Sequence, residues 1–317
     1  MCTCISINSY FGRNMDITHS FNERIIITPR NYIINYKVES PSIVHYAIIG
    51  IGNVTNNYPL YADAINEHGL GVAALNFPYF SYYHKQNKDK INLAPYELIL
   101  YILSNFKSVK EVKEKINLIN LVNINFSMNL KNTPLHYMVS DNIESIVIES
   151  TKNGINIYNN PFNILTNSPP FSYHKENIKN YLNLHNKDSI NVINKSLVLS
   201  PISFGLGAFG LPGDYSSTSR FIKGFFIKSF LDFNKDEYYN IIQFYNCLDS
   251  IKMIKGCVYT KYGYEYTRYT SIYNLNKGIL YYKTYDDYRI YSMNLFNNNL
   301  DNNELIINEF NIDSKIK

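Results

Sequence analysis

The sequence predicts an α+β fold in which antiparallel sheets are covered by helices. Segments of β-forming residues recur along the chain and are separated by short turns rich in Asn and Gly, as expected for antiparallel strands. Amphipathic segments with helical spacing interrupt these strands near the middle of the chain. Because no linker, composition break or internal repeat separates the two halves, we expect residues 1–317 to form a single domain.

The chain begins with a predicted β-hairpin. Residues 2–7 alternate in polarity, Asn8 and Ser9 indicate a turn, and residues 10–17 form the returning strand. A two-residue turn would place Cys2 opposite Met15, and a three-residue turn would place it opposite Asn14. The pattern leaves both registers open, and they put Arg13 on different faces.

The remaining elements follow in order. Beyond the hairpin, strands are predicted within residues 22–36, where the strand stops near Pro29, and over 43–51, 71–77, 135–140, 145–150, 154–159, 164–167, 267–273, 278–284 and 289–293, with a last ordered segment at 304–310. Residues 53–59 are expected to form a polar loop, and residues 60–66 a short apolar connection. Helices are predicted over 94–106, 108–119, 171–184, 216–231 and 236–249.

Composition and charge argue against several classes of function. The net charge is +4, and no run of five like charges occurs, so the sequence does not favour a nucleic-acid partner. No stretch approaches the ~20 apolar residues of a membrane span, and no secretory signal is recognisable, so we expect no membrane association and a cytoplasmic protein. The four cysteines form neither a disulfide framework nor a metal-ligand pattern, and we expect no cofactor and no metal.

The N-terminus offers a chemical function of its own. If Met1 is removed, Cys2 carries a thiol and a free α-amine on the same carbon. The amine titrates at ~7.7–8.0 and can accept a proton near neutral pH, whereas the thiol is the nucleophile once it is deprotonated. One residue then supplies nucleophile and base together. Arg13 could favour the thiolate, and Asp16 could orient the amine.

Several blocks of the chain, in the same order throughout, closely resemble the choloylglycine hydrolase family. This family contains conjugated bile acid hydrolases and penicillin V acylases. The blocks are the N-terminal MCT, FGRNMD (11–16), ADAINEHGLGVAALNFP (62–78), LTNSPPF (165–171), GLPGD with SRF (210–221), and YTS with KGILYYKTY (269–285). The resemblance implies an N-terminal nucleophile hydrolase fold, which is a four-layer αββα sandwich of two antiparallel sheets. It also implies Cys2 as the mature N-terminus, and commonly a homotetramer.

The same resemblance implies the site residues. By it, Cys2 is the nucleophile, Arg13 and Asp16 are its partners, and the backbone N–H of Asn76 forms part of an oxyanion hole. The side-chain amide of Asn167 is the second donor of that hole, and Arg220 completes the catalytic set. Further residues are expected to line an apolar cleft for a steroid: Met15, Phe21, Phe77, Tyr79, Phe204 and Phe209.

The implied reaction is hydrolysis of glycine- or taurine-conjugated bile acids to a free bile acid and an amino acid. In having Asn at position 76, the chain resembles the family members that prefer bile salts, whereas penicillin V acylases tend to carry Tyr at this position. The alternatives are a penicillin V acylase, an N-acyl-homoserine lactone acylase, or a catalytically silent relative that binds bile salts or lipids. Two features depart from the family: the first hairpin is short, and Cys4 replaces a small residue.

Overall fold

Two large antiparallel sheets stacked face to face form the centre of the molecule. The structure is a computed structural model that describes residues 1–233 and 236–310. Helices cover the outer faces of both sheets, which confirms the α+β fold and the four-layer αββα order.

The first sheet has six strands and contains the N-terminal hairpin as its second and third strands. In spatial order its strands are Ile164–Leu165, Cys2–Ile7, Tyr10–Ile17, Tyr266–Asn274, Ile279–Thr284 and Tyr291–Asn294. The hairpin uses the two-residue turn, so Cys2 lies opposite Met15 and Cys4 lies opposite Arg13. Asn8 adopts a φ of 51° in this turn, a conformation that Asn tolerates better than most residues.

The second sheet has eight strands. In spatial order they are Gly154–Asn159, Ser145–Thr151, Leu135–Ser140, Gly71–Asn76, Tyr58–Asn66, Ile48–Thr55, Arg24–Thr28 and Ile306–Glu309. Two short pairs lie outside both large sheets: Tyr259–Thr260 with Gly263–Tyr264, and Ile91–Leu93 with Ile119–Leu121.

One part of the second sheet differs from the prediction. The expected polar loop at 53–59 and the expected connection at 60–66 are instead the two arms of a hairpin, Ile48–Thr55 and Tyr58–Asn66. Asn56 and Asn57 adopt φ values of 51° and 57°, so two residues suffice to reverse the chain. A turn with positive φ at both positions matches the twist of the flanking strands and favours Asn. The polar residues near this turn therefore belong to strand ends.

The helices occur close to their predicted positions. They are Leu98–Asn105, Val109–Lys115, Phe171–Asn177, Ser217–Ser229 and Glu237–Asp249. Three of the predicted helices are longer than the observed α-helices, and short 3₁₀ turns form part of the remaining length, at Pro95–Glu97, Ile116–Leu118 and Ile178–Tyr181. Two further 3₁₀ turns are Leu206–Ala208 and Leu295–Asn297. The first two helices pack on the outer face of the eight-stranded sheet, and the last two pack on the six-stranded sheet.

Strand alternation decides which face of the first hairpin each site residue occupies. The Ser6 hydroxyl is hydrogen-bonded to the Ser140 hydroxyl of the opposite sheet at 2.8 Å, so the Ser6 side chain faces the space between the sheets. Side chains two residues apart on a strand point to the same face, and Cys2 and Cys4 therefore face that space as well. Thr3 and Ile5 face the helix Ser217–Ser229 instead. Gly224 of that helix allows close approach, because a Cβ there would lie 2.7 Å from Ile164 Cδ1.

Candidate active site

Cys2 lies at the start of the first strand and is 3% exposed. Its Sγ is 3.7 Å from Met15 Sδ on the neighbouring strand. Its backbone N–H donates to Asn167 Oδ1 at 2.7 Å. The nitrogen that becomes the α-amine on removal of Met1 is therefore already held by a polar side chain.

Arg13 lies on the same inner face as Cys2 and is completely buried. Its Nη1 donates to the carbonyl oxygens of Ala62 at 3.0 Å and Ala74 at 2.8 Å, both on the opposite sheet. Burial by itself lowers the pKa of Arg13, but the combined influence of Cys2, Tyr269 and Asp63 outweighs it and raises that pKa. The guanidinium thus places a fixed positive charge beneath the nucleophile.

Asp63 balances this charge and was missed by the sequence analysis. Its Oδ1 is 3.6 Å from Arg13 Nη1. The same carboxylate accepts hydrogen bonds from three hydroxyls of one strand: Tyr269 at 2.6 Å, Ser271 at 2.7 Å and Tyr273 at 2.8 Å. A charged residue inside the otherwise apolar segment 60–66 was the signal that could have identified it, because a buried carboxylate requires partners.

We expect Asp63→Ala to lower the free energy of unfolding by about 3–5 kcal/mol, because it leaves Arg13 buried without its counter-charge. Urea denaturation measures this change. The matched control is Asp301→Ala, which removes one partner of Arg30 at the surface and should cost no more than about 1 kcal/mol. Equal effects of the two substitutions would contradict the counter-charge role of Asp63.

Asp16 lies on the outer face of the hairpin, beside Cys2 at the strand end. Its Oδ1 accepts a hydrogen bond from Thr267 Oγ1 at 2.5 Å, and its Oδ2 is 3.9 Å from Arg220 Nη1. Met1 extends the strand pairing: its amine donates to Asp16 O at 2.6 Å and pairs with Glu265. Burial lowers the pKa of this amine. Asp16 thus pairs with Met1 through its backbone carbonyl, and its role in orienting the Cys2 amine stays a prediction.

Asn167 joins the remaining site residues. Its Oδ1 accepts from Cys2 N at 2.7 Å and from Arg220 Nη2 at 2.8 Å, whereas its Nδ2 donates to Asn76 O at 2.7 Å. These partners fix the orientation of the amide. If the amide were flipped, its NH₂ group would face the N–H groups of Cys2 and Arg220, and its oxygen would face the carbonyl oxygen of Asn76. One N–H of Nδ2 remains for a further acceptor.

Arg220, in the first turn of the helix Ser217–Ser229, is almost completely buried. Its Nη1 donates to Cys2 O at 2.6 Å and to Thr3 Oγ1 at 2.5 Å. The structure thus brings together all six predicted catalytic residues: Cys2, Arg13, Asp16, Asn76, Asn167 and Arg220. A thiol, a buried cation and an amide donor at one point are the groups that acyl transfer uses.

The six predicted cleft residues are not brought together in the same way. Only Met15 contacts Cys2, and Phe21 is partly buried. Phe77 is fully buried and stacks on His136 with ring centroids 4.4 Å apart, so its ring supports the loop from within the protein. Tyr79, Phe204 and Phe209 are 97%, 94% and 79% exposed. Their assignment to a substrate cleft stays a prediction.

Of the four cysteines, Cys257 is exposed and the other three are buried. Cys4 and Cys247 are fully buried, and burial raises the pKa of both thiols, that of Cys247 to about 12. Cys257 is exposed. Cys4 thus remains a protonated thiol between the sheets, which makes it a poor competitor of the nucleophile.

We expect iodoacetamide to modify Cys257 in the folded protein and to leave Cys4 and Cys247 unmodified, because only a thiolate that solvent can reach is alkylated. Peptide mass mapping measures the sites. In urea all cysteines should react, which controls for intrinsic reactivity. Modification of Cys4 at the rate of Cys257 would contradict its burial.

Within residues 1–233 and 236–310, no three side chains of His, Cys, Asp or Glu converge as metal ligands do. No helix in these ranges has the length and apolar character needed to cross a membrane.

Comparison with known proteins identifies the family. Residues 2–308 match the family model of linear amide C–N hydrolases, choloylglycine hydrolase family. The chain is 46% identical over 299 residues to a bile salt hydrolase/transferase of Lactiplantibacillus plantarum, an alignment that covers 93% of this chain and 92% of the relative.

Solved structures agree with this match. A crystal structure of the C2A mutant of conjugated bile acid hydrolase from Clostridium perfringens superimposes with a TM-score of 0.91 at 37% identity, covering 98% of this chain and 97% of the other. Penicillin V acylase from Agrobacterium tumefaciens shares the fold, with a TM-score of 0.77 at 15% identity over 97% and 90% of the two chains. The fold is that of N-terminal nucleophile hydrolases, and the chain belongs to the choloylglycine hydrolase family of linear amide C–N hydrolases.

Proposed function

We propose that this protein hydrolyses the amide bond of glycine- and taurine-conjugated bile acids, with Cys2 as the nucleophile. The observation that carries the proposal is the network in which Asn167 joins Cys2 and Arg220, in a chain 46% identical to a bile salt hydrolase/transferase.

In the proposed reaction, the Cys2 thiolate attacks the amide carbonyl carbon. The developing oxyanion accepts hydrogen bonds from the free N–H of Asn167 Nδ2 and from the backbone N–H of Asn76. The α-amine of Cys2, oriented by Asn167 and Asp16, takes the proton of the thiol and passes it to the leaving nitrogen as the C–N bond breaks. The amino acid leaves, and water then hydrolyses the Cys2 thioester, which releases the bile acid and restores the thiol.

The test uses purified protein whose loss of Met1 is confirmed by intact mass. We expect release of glycine and taurine from the conjugates, with kcat/KM values above those for penicillin V and an N-acyl-homoserine lactone. A preference for either of these would assign the same site to one of the alternative acylases. Binding of conjugates without release of amino acid would instead indicate a silent binding relative.

A second activity follows from the same intermediate. The relatives from L. plantarum and C. perfringens are named hydrolase/transferase. A thioester at Cys2 can be attacked by an amine in place of water, which forms a new amide and restores the thiol. We propose that added amino acids compete with water for this thioester. New conjugates detected by mass spectrometry would support transfer, and free bile acid as the sole product would contradict it.

We further propose that residues 1–317 form one domain, that the chain assembles as a homotetramer and that it acts in the cytoplasm. The segment 182–209 exposes many apolar side chains, and a second copy would cover them. These include Leu182, Ile190, Ile193, Val198, Ile202 and Phe204. All four cysteines are free, as is typical of a reducing compartment. Light scattering after gel filtration measures the mass, and a monomer would contradict the assembly.

A further inference from the structure

We propose that His174 and Ser217 are positioning residues that fix the backbone of Asn167 and thereby aim its side-chain amide at the reacting carbonyl. This inference deepens the proposed function, on which it rests. Neither residue was singled out by the sequence, and neither is in hydrogen-bond contact with Cys2. Both are buried directly behind Asn167.

Ser217 holds both backbone groups of Asn167 with one hydroxyl. The N–H of Asn167 donates to Ser217 Oγ at 2.9 Å, and Ser217 Oγ donates to Asn167 O at 2.9 Å. Ser217 is the first residue of its helix, and Arg220 follows one turn later. The same helix end therefore contacts the backbone of Asn167 through Ser217 and its side chain through Arg220.

His174 supplies the second contact to the same carbonyl. Its Nε2 is 3.0 Å from Asn167 O, and because a carbonyl oxygen only accepts, Nε2 carries the proton. The ring stacks on Phe221 with centroids 4.7 Å apart and an interplanar angle of 15°, which holds the imidazole in one orientation. Burial lowers the pKa of His174 to about 4, so the ring is neutral at physiological pH.

Together these contacts use the full bonding capacity of the Asn167 backbone. Its carbonyl accepts two hydrogen bonds, from Ser217 and His174, and its N–H donates one. A backbone fixed in this way cannot rotate without breaking several buried hydrogen bonds, each of which is costly to lose. Ser217 and His174 therefore determine the direction of the Asn167 Cα–Cβ bond, and that direction determines the position of Nδ2.

This arrangement predicts a specific kinetic signature. Loss of either positioning residue moves the amide donor by a fraction of an ångström to about 1 Å, a displacement that can cost about 10²-fold in rate. Because neither side chain contacts substrate, KM should stay within about twofold while kcat falls. A purely structural role would instead lower stability and leave kcat of the folded fraction unchanged.

The experiment compares four variants with the wild-type enzyme. We expect Ser217→Ala and His174→Leu to lower kcat by about 10- to 100-fold. His174→Gln should keep kcat within a few-fold of wild type, because its amide N–H can donate to Asn167 O in place of Nε2. The control is His45→Leu, which removes a buried imidazole that also contacts backbone carbonyls, those of Tyr32 and Tyr46, and should leave kcat unchanged.

Crystal structures of Ser217→Ala and His174→Leu provide a readout independent of turnover. We expect the hydrogen bond from Asn167 Nδ2 to Asn76 O, 2.7 Å here, to lengthen or break. Unchanged kcat in Ser217→Ala and His174→Leu, equal losses in His174→Leu and His174→Gln, or an unmoved amide would overturn the inference. If His174→Leu does not fold, Ser217→Ala decides alone. If the wild type releases no amino acid from conjugates, the proposed function fails, and the displacement of Asn167 still decides this inference.

Discussion

Cys2→Ala is expected to abolish amide hydrolysis, with a loss of about 10⁶-fold in kcat, the scale seen when other hydrolases lose their nucleophile. The physical reason is that no other side chain replaces the sulfur at this point: Cys4 is buried between the sheets, and burial raises the pKa of its thiol. Released glycine and taurine, measured with excess enzyme over hours, quantify the remaining activity.

The fold should survive this substitution. Cys2 Sγ contacts Met15 Sδ at 3.7 Å, and alanine removes that single sulfur from a strand whose backbone pairing is unchanged. The matched control is Cys257→Ala, which removes an exposed thiol and should keep full activity. Turnover by Cys2→Ala within tenfold of wild type would refute the nucleophile assignment, provided that thermal unfolding shows a folded protein.

Asn167→Ala should produce the next largest effect, a fall in kcat of about 10²–10³-fold, since one oxyanion donor contributes about 2.7–4 kcal/mol to transition-state stabilisation. The substitution also leaves Cys2 N and Arg220 Nη2 without their shared acceptor. Unpaired buried donors cost about 1–3 kcal/mol each, so the free energy of unfolding should fall as well. Steady-state kinetics and urea denaturation measure the two effects separately.

Asn66→Ala is the matched control for Asn167→Ala, because it should lower the stability of the fold without lowering kcat. Asn66 is a buried asparagine whose Nδ2 donates to Leu103 O at 2.9 Å and to Phe106 O at 2.7 Å, away from Cys2. We expect a comparable loss of stability in Asn66→Ala with little change in kcat. If both variants lower kcat equally, the effect of Asn167 arises from general loosening of the fold, and its role as an oxyanion donor is wrong.

Local sequence patterns predicted most of the secondary structure, and the exception has a local cause. The N-terminal hairpin and the five α-helices within the described residues were recognisable from alternation, helical spacing and turn residues. The hairpin at residues 48–66 was missed because Asn56 and Asn57 were interpreted as part of a longer polar loop. Two asparagines with positive φ form a complete turn, and their composition alone does not distinguish the two cases.

The substrate cleft shows a different limit. Met15, Phe77 and Phe204 were expected to line an apolar cleft for a steroid. The structure buries Phe77 against His136, exposes Phe204 and places only Met15 against Cys2. An apolar side chain has the same identity in a core, a cleft and an exposed segment, so its burial depends on the layers around it.

The sequence by itself determined the α+β class and, through ordered blocks of similarity, the family, and it predicted the chemistry of the N-terminal residue and the six proposed catalytic positions. The tertiary structure decided how these positions meet: Asn167 and Arg220 bond to Cys2 across 165 and 218 residues of chain, and Asp63 is held by hydroxyls more than 200 residues away. Turn and helix propensities act over a few residues. Contacts across such separations arise only when two sheets and their covering helices pack into one body, and for that reason His174 and Ser217 left no local signature.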